Sequence, residues 1–387
     1  METPSTPVYD FEDIVDLGQV RSKRICLLGC GAVGCNIILA ALQTGWRSFT
    51  LVDFDTVSPH NCPRSGGLFH PYRDVGKSKA RLLADYIRDW DPGCAAYAYE
   101  IDARDLGSGF FLQYDVVLCA LDNMESVWHI GELMADTGIP LYRAATNGWN
   151  SSVEILENRP GEACLCCGMD PARAGDLRIT SCGIRYLSDI QRGRAPALQV
   201  SSALCANRLV AEMTRRLGPS PDKRNLRYYD DGRSLMPFDL TLHPKCGCHG
   251  GLPDPLDLPG DVFSMRLDQL LYMLEERIGA GVVVYGADDY VLEGACYRCG
   301  EVYPINKPLR RVRESEMHCP HCPITSRGPD NASTLSVFSR NSPAAALNQT
   351  LANLGFRICG GILAAKAGGA PSLWRLSGDS EALFAMA

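Results

Sequence analysis

The chain has 387 residues, an apolar fraction of 46% and a net charge of −7, from 45 acidic and 38 basic side chains spread without long single-sign runs. That length accommodates two or three domains, and the composition excludes a disordered chain, a basic nucleic-acid binder and a polybasic membrane-surface protein. The polar, acidic opening segment lacks the basic and apolar regions of a secretory signal, so the expectation is a cytoplasmic protein with neither nucleic-acid nor membrane partners.

In chain order, Arg24–Gly29 reads as a buried strand, Ala32–Gly45 as a helix and Phe49–Phe54 as a second strand, which together make a βαβ unit. Ile25–Trp46 is long and nearly uncharged, but its regularly spaced glycines and the polar Asn36, Gln43 and Thr44 fit strand-turn-helix better than a membrane span. Lys77–Trp90 predicts an amphipathic helix with Ala80, Leu83, Ala84 and Ile87 on one face. Tyr114–Leu121 predicts a central strand ending at Asp122, and Gly138–Ala145 another. Residues 147–165 suggest further strands, residues 168–197 a polar crossover, and Ala197–Leu217 a helix.

The pattern specifies an α/β fold, a Rossmann-like and mostly parallel sheet with helices on both faces, over residues 1–250. Residues 251–330 form a zinc-ribbon-containing region that runs into a polar linker around Ser326–Asn341. Residues 331–387 form an α+β tail with a helix-like stretch and an L-W-R-L-S-G-D strand.

The motifs cluster where strands end. Gly29, Gly31 and Gly34 suit a turn that approaches phosphate closely before a helix N-terminus. Asp53, ending the second strand, is placed to accept ribose hydroxyls. Asn61, Arg64 and Lys79 are donors suited to a triphosphate. Asp122 is a hard oxygen ligand for Mg²⁺ shared with phosphates, and Asn123 follows it.

Eighteen cysteines in a reducing compartment report metal or nucleophile chemistry more than disulfides. Cys26, Cys30, Cys35, Cys119, Cys205 and Cys359 sit among apolar neighbours and read as small core residues. Cys296-Y-R-Cys299 and Cys319-P-H-Cys322 have the paired spacing of a zinc ribbon, whose four filled positions imply a structural ion. Cys182 stands in the polar crossover between Arg178 and Arg185, cations that favour thiolate.

The run Asp53-F-Asp55-T-Val57-S-P-H-Asn61-C-P-Arg64, with Asp74-V-G-K-S-Lys79 and Leu121-Asp122-Asn123, resembles the ThiF/MoeB and ubiquitin-activating-enzyme superfamily over roughly the first 250 residues. The resemblance implies ATP bound through Asp53, Asp55, Asn61, Arg64 and Lys79, with Mg²⁺ on Asp122. It also implies adenylation of the C-terminal carboxylate of a ubiquitin-like protein, a conjugating enzyme downstream and a homodimer. Cys182 matches the position of the thioester-forming cysteine. Cys164, Cys167, Cys246 and Cys248 resemble the family's structural zinc site; the second pair departs from the usual spacing, so His249 and Cys166 compete as ligands.

Two other functions remain open at this level. An adenylyltransferase for a sulfur-carrier protein or peptide needs Arg64 and Asp122 without Cys182. A nicotinamide-dependent oxidoreductase shares the glycine turn and Asp53 but leaves Asn61, Arg64 and Lys79 without a role.

Overall fold

The structure, a computed structural model, describes residues 11, 13–169, 197–219, 221–249, 254–322, 331–366 and 369–386. The first sheet begins with β1 (Arg24–Leu28), β2 (Ser48–Val52), β3 (Ala95–Tyr99), β4 (Val116–Cys119) and β5 (Leu141–Asn147), all parallel to their neighbours. It continues antiparallel through β6 (Asn150–Leu156), β7 (Leu226–Asp230) and β8 (Leu235–Asp239). The spatial order is β3-β2-β1-β4-β5-β6-β7-β8. Strand order reverses between β1 and β4, the kind of switch point at which doubly wound sheets bind their ligands.

Each face of this sheet has its own core. On one, α2 (Ala32–Gln43), α3 (Lys79–Trp90) and α6 (Gln199–Arg215) pack Ile37, Ile38, Leu83, Ile87 and Leu209 against Ile25, Leu27, Phe49 and Leu118. Before them comes α1 (Leu17–Ser22), capped by Asp16, whose side chain accepts from the Gln19 N–H. The other face carries α4 (Ser108–Phe111) and α5 (Met124–Met134), and then the C-terminal region itself.

That region is a six-stranded sheet of β9 (Leu256–Leu258), β10 (Val282–Ala295), β11 (Val302–Pro308), β12 (Asn331–Phe338), β13 (Ile362–Lys366) and β14 (Ser372–Leu376). Its helices are α7 (Leu267–Ile278), α8 (Ala344–Leu347) and α9 (Asp379–Phe384). Leu267, Leu270, Leu271, Tyr290 and Phe338 share one core with Leu28, Val117, Ile130 and Met134 of the first domain. Polar contacts reinforce the junction: Asp105 accepts from Arg310 Nη2 at 2.6 Å and from Arg311 Nη2 at 2.6 Å, and Leu106 bridges Ile358.

Several elements differ from the sequence reading. The polar run at Asn331–Phe338 is a strand rather than linker, pairing antiparallel with β10, so one sheet spans the boundary at residue 330. Its small and polar side chains are largely solvent-facing, which is why the segment has little hydrophobic signal. After β6 the chain to residue 165 forms no further strand; Leu165–Gly168 is a single 3₁₀ turn shaped by the cysteine loop. In the tail the helical stretch is short: the one turn of α8 and the six residues of α9. Ile25–Trp46 is β1, a turn and α2, and no helix of the described residues is long and apolar enough to cross a membrane.

Candidate functional site

The glycine turn leaves β1 with Gly29 at φ +92° and its N–H bonded to Val52 O at 2.9 Å. A Cβ on Gly34 would lie 2.0 Å from Gly29 O, so helix and strand approach closely only because this residue lacks a side chain. Gly31 is the N-cap of α2 and supplies no capping side chain, so the first-turn N–H groups of α2 are not capped by it. Asp53 closes the turn from β2. Its Oδ2 accepts the Cys30 N–H at 2.6 Å and its Oδ1 the Asp55 N–H at 2.8 Å, with a second lone pair left on each oxygen. Burial raises the Asp53 pKa, against the opposing field of Lys79.

Lys79, the first residue of α3, is buried and places Nζ 2.7 Å from Asp55 Oδ2. Asn61 is buried in the 3₁₀ turn Pro59–Arg64, where its Oδ1 accepts both the Ser58 N–H at 2.8 Å and the Ser58 hydroxyl at 2.7 Å. This fixes the amide with its Nδ2 donors unused among the described residues. Arg64 ends that turn. Its Nε is buried and has no hydrogen-bond partner among the described residues, the condition of a donor placed for an anion.

Asp122 follows β4, is exposed, and makes no hydrogen bond or ion pair among the described residues. Asn123 does something simpler: it is the N-cap of α5, and its Oδ1 accepts the Ser126 N–H at 2.9 Å. The glycine turn and Asp53 thus stand at the ends of β1 and β2 and Asp122 follows β4, while Asn61 and Arg64 on the 3₁₀ turn keep unused amide and guanidinium donors. These groups have the donor and acceptor chemistry that a nucleotide triphosphate calls for. Cys182, Arg178 and Arg185 lie outside the described residues.

Two cysteine clusters have the geometry of closed tetrahedral sites. Cys164 Sγ lies 3.7 Å from Cys167 Sγ and 3.8 Å from Cys246 Sγ, and Cys167 Sγ lies 3.2 Å from His249 Nε2. Tetrahedral zinc with Zn–S bonds of about 2.3 Å places its sulfurs about 3.8 Å apart, so these donors fit Zn²⁺. Cys248, which competed with His249 for the fourth position at the level of sequence, instead groups with Cys164 and Cys166, and His249 completes the tetrad. The physical reason is spacing: Cys164/Cys167 and Cys246/His249 both turn two donors inward across two intervening residues, whereas Cys246-G-Cys248 does not. Asp136, which sequence reasoning missed for want of any motif, places Oδ1 3.0 Å from His249 Nδ1. That contact orients the ring with Nε2 toward the sulfurs.

The second cluster joins Cys296, Cys299, Cys319 and Cys322, with Cys299 and Cys319 sulfurs 3.7 Å apart and those of Cys296 and Cys322 3.9 Å apart. Its first pair lies in the turn from β10 to β11, over the small core of Val291, Tyr303, Ile305, Val312 and Met317. The donors fit zinc held for structure.

A 3-2-1-4-5 parallel sheet with a glycine turn, strand-end acid and helix N-terminus at its switch point defines a Rossmann-type α/β protein. A sequence model of the ThiF family matches residues 9–249, and the chain belongs to that family. Among curated proteins it is 25% identical over 150 residues to SUMO-activating enzyme subunit 2 of Dictyostelium discoideum, covering 38% of this chain and 22% of that protein. It is 26% identical over 164 residues to the NEDD8-activating enzyme E1 catalytic subunit of Caenorhabditis elegans, covering 39% of this chain and 37% of that one. The matches thus span between about a fifth and just over a third of these relatives. Among solved structures, E. coli MccB with ATP superposes with a TM-score of 0.50 at 15% identity, over 60% of this chain and 68% of that one, which shows the shared fold.

Proposed function

We propose that this protein activates a carboxylate by adenylation and that its substrate is the C-terminus of a ubiquitin-like protein. The carrying observation is the buried Nε of Arg64, without a partner among the described residues, on a turn whose backbone Asn36 of α2 holds. A carboxylate oxygen attacks the α-phosphorus of ATP, the bond to the β-phosphate oxygen breaks, and pyrophosphate leaves with the electron pair. Arg64, Lys79 and Asn61 offset the charge that develops on the leaving group. Asp53 holds the ribose and orients the nucleotide, and Asp122 holds Mg²⁺, which supplies further charge neutralisation when bound. Asp55 positions Lys79, and Asn123 sets the start of α5 beside Asp122.

Cys182 then attacks the acyl carbon of the adenylate, expelling AMP and leaving a thioester ready for a conjugating enzyme. The protein works in the cytoplasm as a homodimer, with two structural zinc ions. Family membership and the relatives named as activating enzymes support this reading.

The test is ATP–pyrophosphate exchange with a candidate ubiquitin-like protein, followed by a non-reducing gel of the wild type and Cys182→Ala. Modifier-dependent exchange with a thiol-sensitive adduct absent from Cys182→Ala is the expected result. Exchange without an adduct replaces the covalent step with simple adenylyl transfer, and no exchange, with Arg64→Ala indistinguishable from wild type, refutes the reading.

A further inference from the structure

We infer that Gln199, the first residue of α6, is a positioning residue for Arg64, acting through Asn36 and the backbone of Gly66; the inference rests on the nucleotide reading above. Asn36 and Gln199 face one another as reciprocal amides. Gln199 Nε2 donates to Asn36 Oδ1 at 2.8 Å, and Asn36 Nδ2 donates to Gln199 Oε1 at 3.2 Å. Turning one amide alone would set like groups against each other, and turning both would set Asn36 Oδ1 against the Ala32 carbonyl, so the pair has one arrangement.

The same two side chains grip the residues around Arg64. Asn36 Nδ2 lies 3.4 Å from Arg64 O and 2.7 Å from Ala32 O, in the first turn of α2, and Gln199 Oε1 accepts the Gly66 N–H at 3.3 Å. Between them Ser65 is wholly buried, its hydroxyl donating to Cys62 O at 3.1 Å and accepting the Phe69 N–H at 3.1 Å. The backbone of residues 64–66 is therefore held at every residue, while the Arg64 Nε is left without a partner among the described residues. The arrangement fixes the root of the arginine and leaves its head available.

Close packing makes this seat specific. Gly66 has φ +66°, and a Cβ there would meet Leu39 Cδ1 at 2.5 Å, Asn36 Oδ1 at 3.3 Å and Gln199 Nε2 at 3.6 Å. Asn36 is almost wholly buried, in a helix pair that is otherwise joined by apolar side chains. A buried amide pair adds little stability over an apolar contact, but it selects one geometry. Displacing a charged donor by about 1 Å is enough to cost catalysis roughly a hundredfold, so the selection has a functional object.

The experiment is isothermal titration with ATP and with AMP, each with Mg²⁺, on wild type, Gln199→Ala, Asn36→Ala, Arg64→Ala and the Gln199→Ala/Arg64→Ala double variant. A residue acting through a phosphate-binding arginine weakens ATP binding about tenfold, leaves AMP binding within about twofold, and adds nothing once Arg64 is gone. Asn36→Ala shows the same split. Equal losses for ATP and AMP, unchanged ATP binding in both amide variants, or additive losses in the double variant overturn the inference. Failure of the wild type to bind either nucleotide overturns the nucleotide reading and this inference with it, a result distinct from all of those.

Discussion

The ammonium of Lys79 sits 2.7 Å from Asp55 Oδ2, with the lysine side chain 8% exposed and the carboxylate 53% exposed. The pair is asymmetric: the cation is committed to the interior, while its counter-ion stands in water and can yield to a stronger anion. We expect Lys79→Met to lower pyrophosphate exchange by at least about a hundredfold, as removal of one charge-stabilising donor does elsewhere. Asp55→Asn should retain the fold at a cost of about 1 kcal/mol, since its side chain is half in solvent. Exchange kinetics together with urea midpoints check both; full activity in Lys79→Met would remove this lysine from the reaction.

Metal content separates the ligands of the first cysteine cluster. Wild-type protein dialysed against a weak chelator should retain two zinc ions per chain, and Cys248→Ser should also retain two. His249→Ala should retain one, and Asp136→Asn should weaken the first site about 10- to 100-fold by releasing the imidazole. Elemental analysis decides: loss of zinc from Cys248→Ser with retention in His249→Ala would restore the four-cysteine assignment.

Acid should weaken the protein through His129. Its side chain on α5 is largely enclosed, with Nε2 buried and Arg357 Nη2 donating to Nδ1 at 3.3 Å. Burial, then the charges of Arg357, Arg310 and Arg104, press its pKa from 6.5 down to about 3. Between those values the unfolded chain carries a proton that the folded chain lacks, so stability falls as pH falls, by up to about 1.4 kcal/mol per pH unit. Asp379 acts oppositely: burial raises its carboxyl to about 6, and its contribution falls as pH rises from about 4 to 6. Denaturant midpoints of wild type and His129→Gln from pH 7 to 4 should converge as the pH falls. A gap constant over that range would contradict the assignment.

Asp105→Ala should strike the junction of the two sheets. Arg310 is 5% exposed in its side chain and pairs with Asp105 and Asp288, so removing the first carboxylate leaves a buried cation half-compensated. We expect a loss of about 3 kcal/mol in urea unfolding. A change below 0.5 kcal/mol, the range of an ordinary surface substitution, would show that the apolar core alone carries the junction.

What was readable from the chain and what was not divides along physical lines. β1 and β2 are short apolar runs leading straight into Gly29 and Asp53, and β4 is one that stops at Cys119, three residues before Asp122; such strands announce themselves because both faces are buried. β12 escaped because Ala332, Ser333, Thr334 and Ser336 are small or polar, leaving only Leu335, Val337 and Phe338 at its far end as a hydrophobic signal. The choice of His249 over Cys248 depends on which side of a turn each donor faces, and the pairing of Asp136 with it joins positions far apart in the chain. Gln199 belongs to no motif, and its meaning lies entirely in what stands opposite it.

The shared core has a further consequence for how this chain can change over time. Leu28, Val117 and Met134 pack in the same interior as Leu271, Tyr290 and Phe338. A region that lends its own side chains to the interior of its neighbour is no cassette to be exchanged among relatives by recombination at residue 250. Substitutions on either side of that interior must answer to both. The half with the glycine turn and the half with the second cysteine cluster therefore share one interior, and a core substitution in either is felt by both.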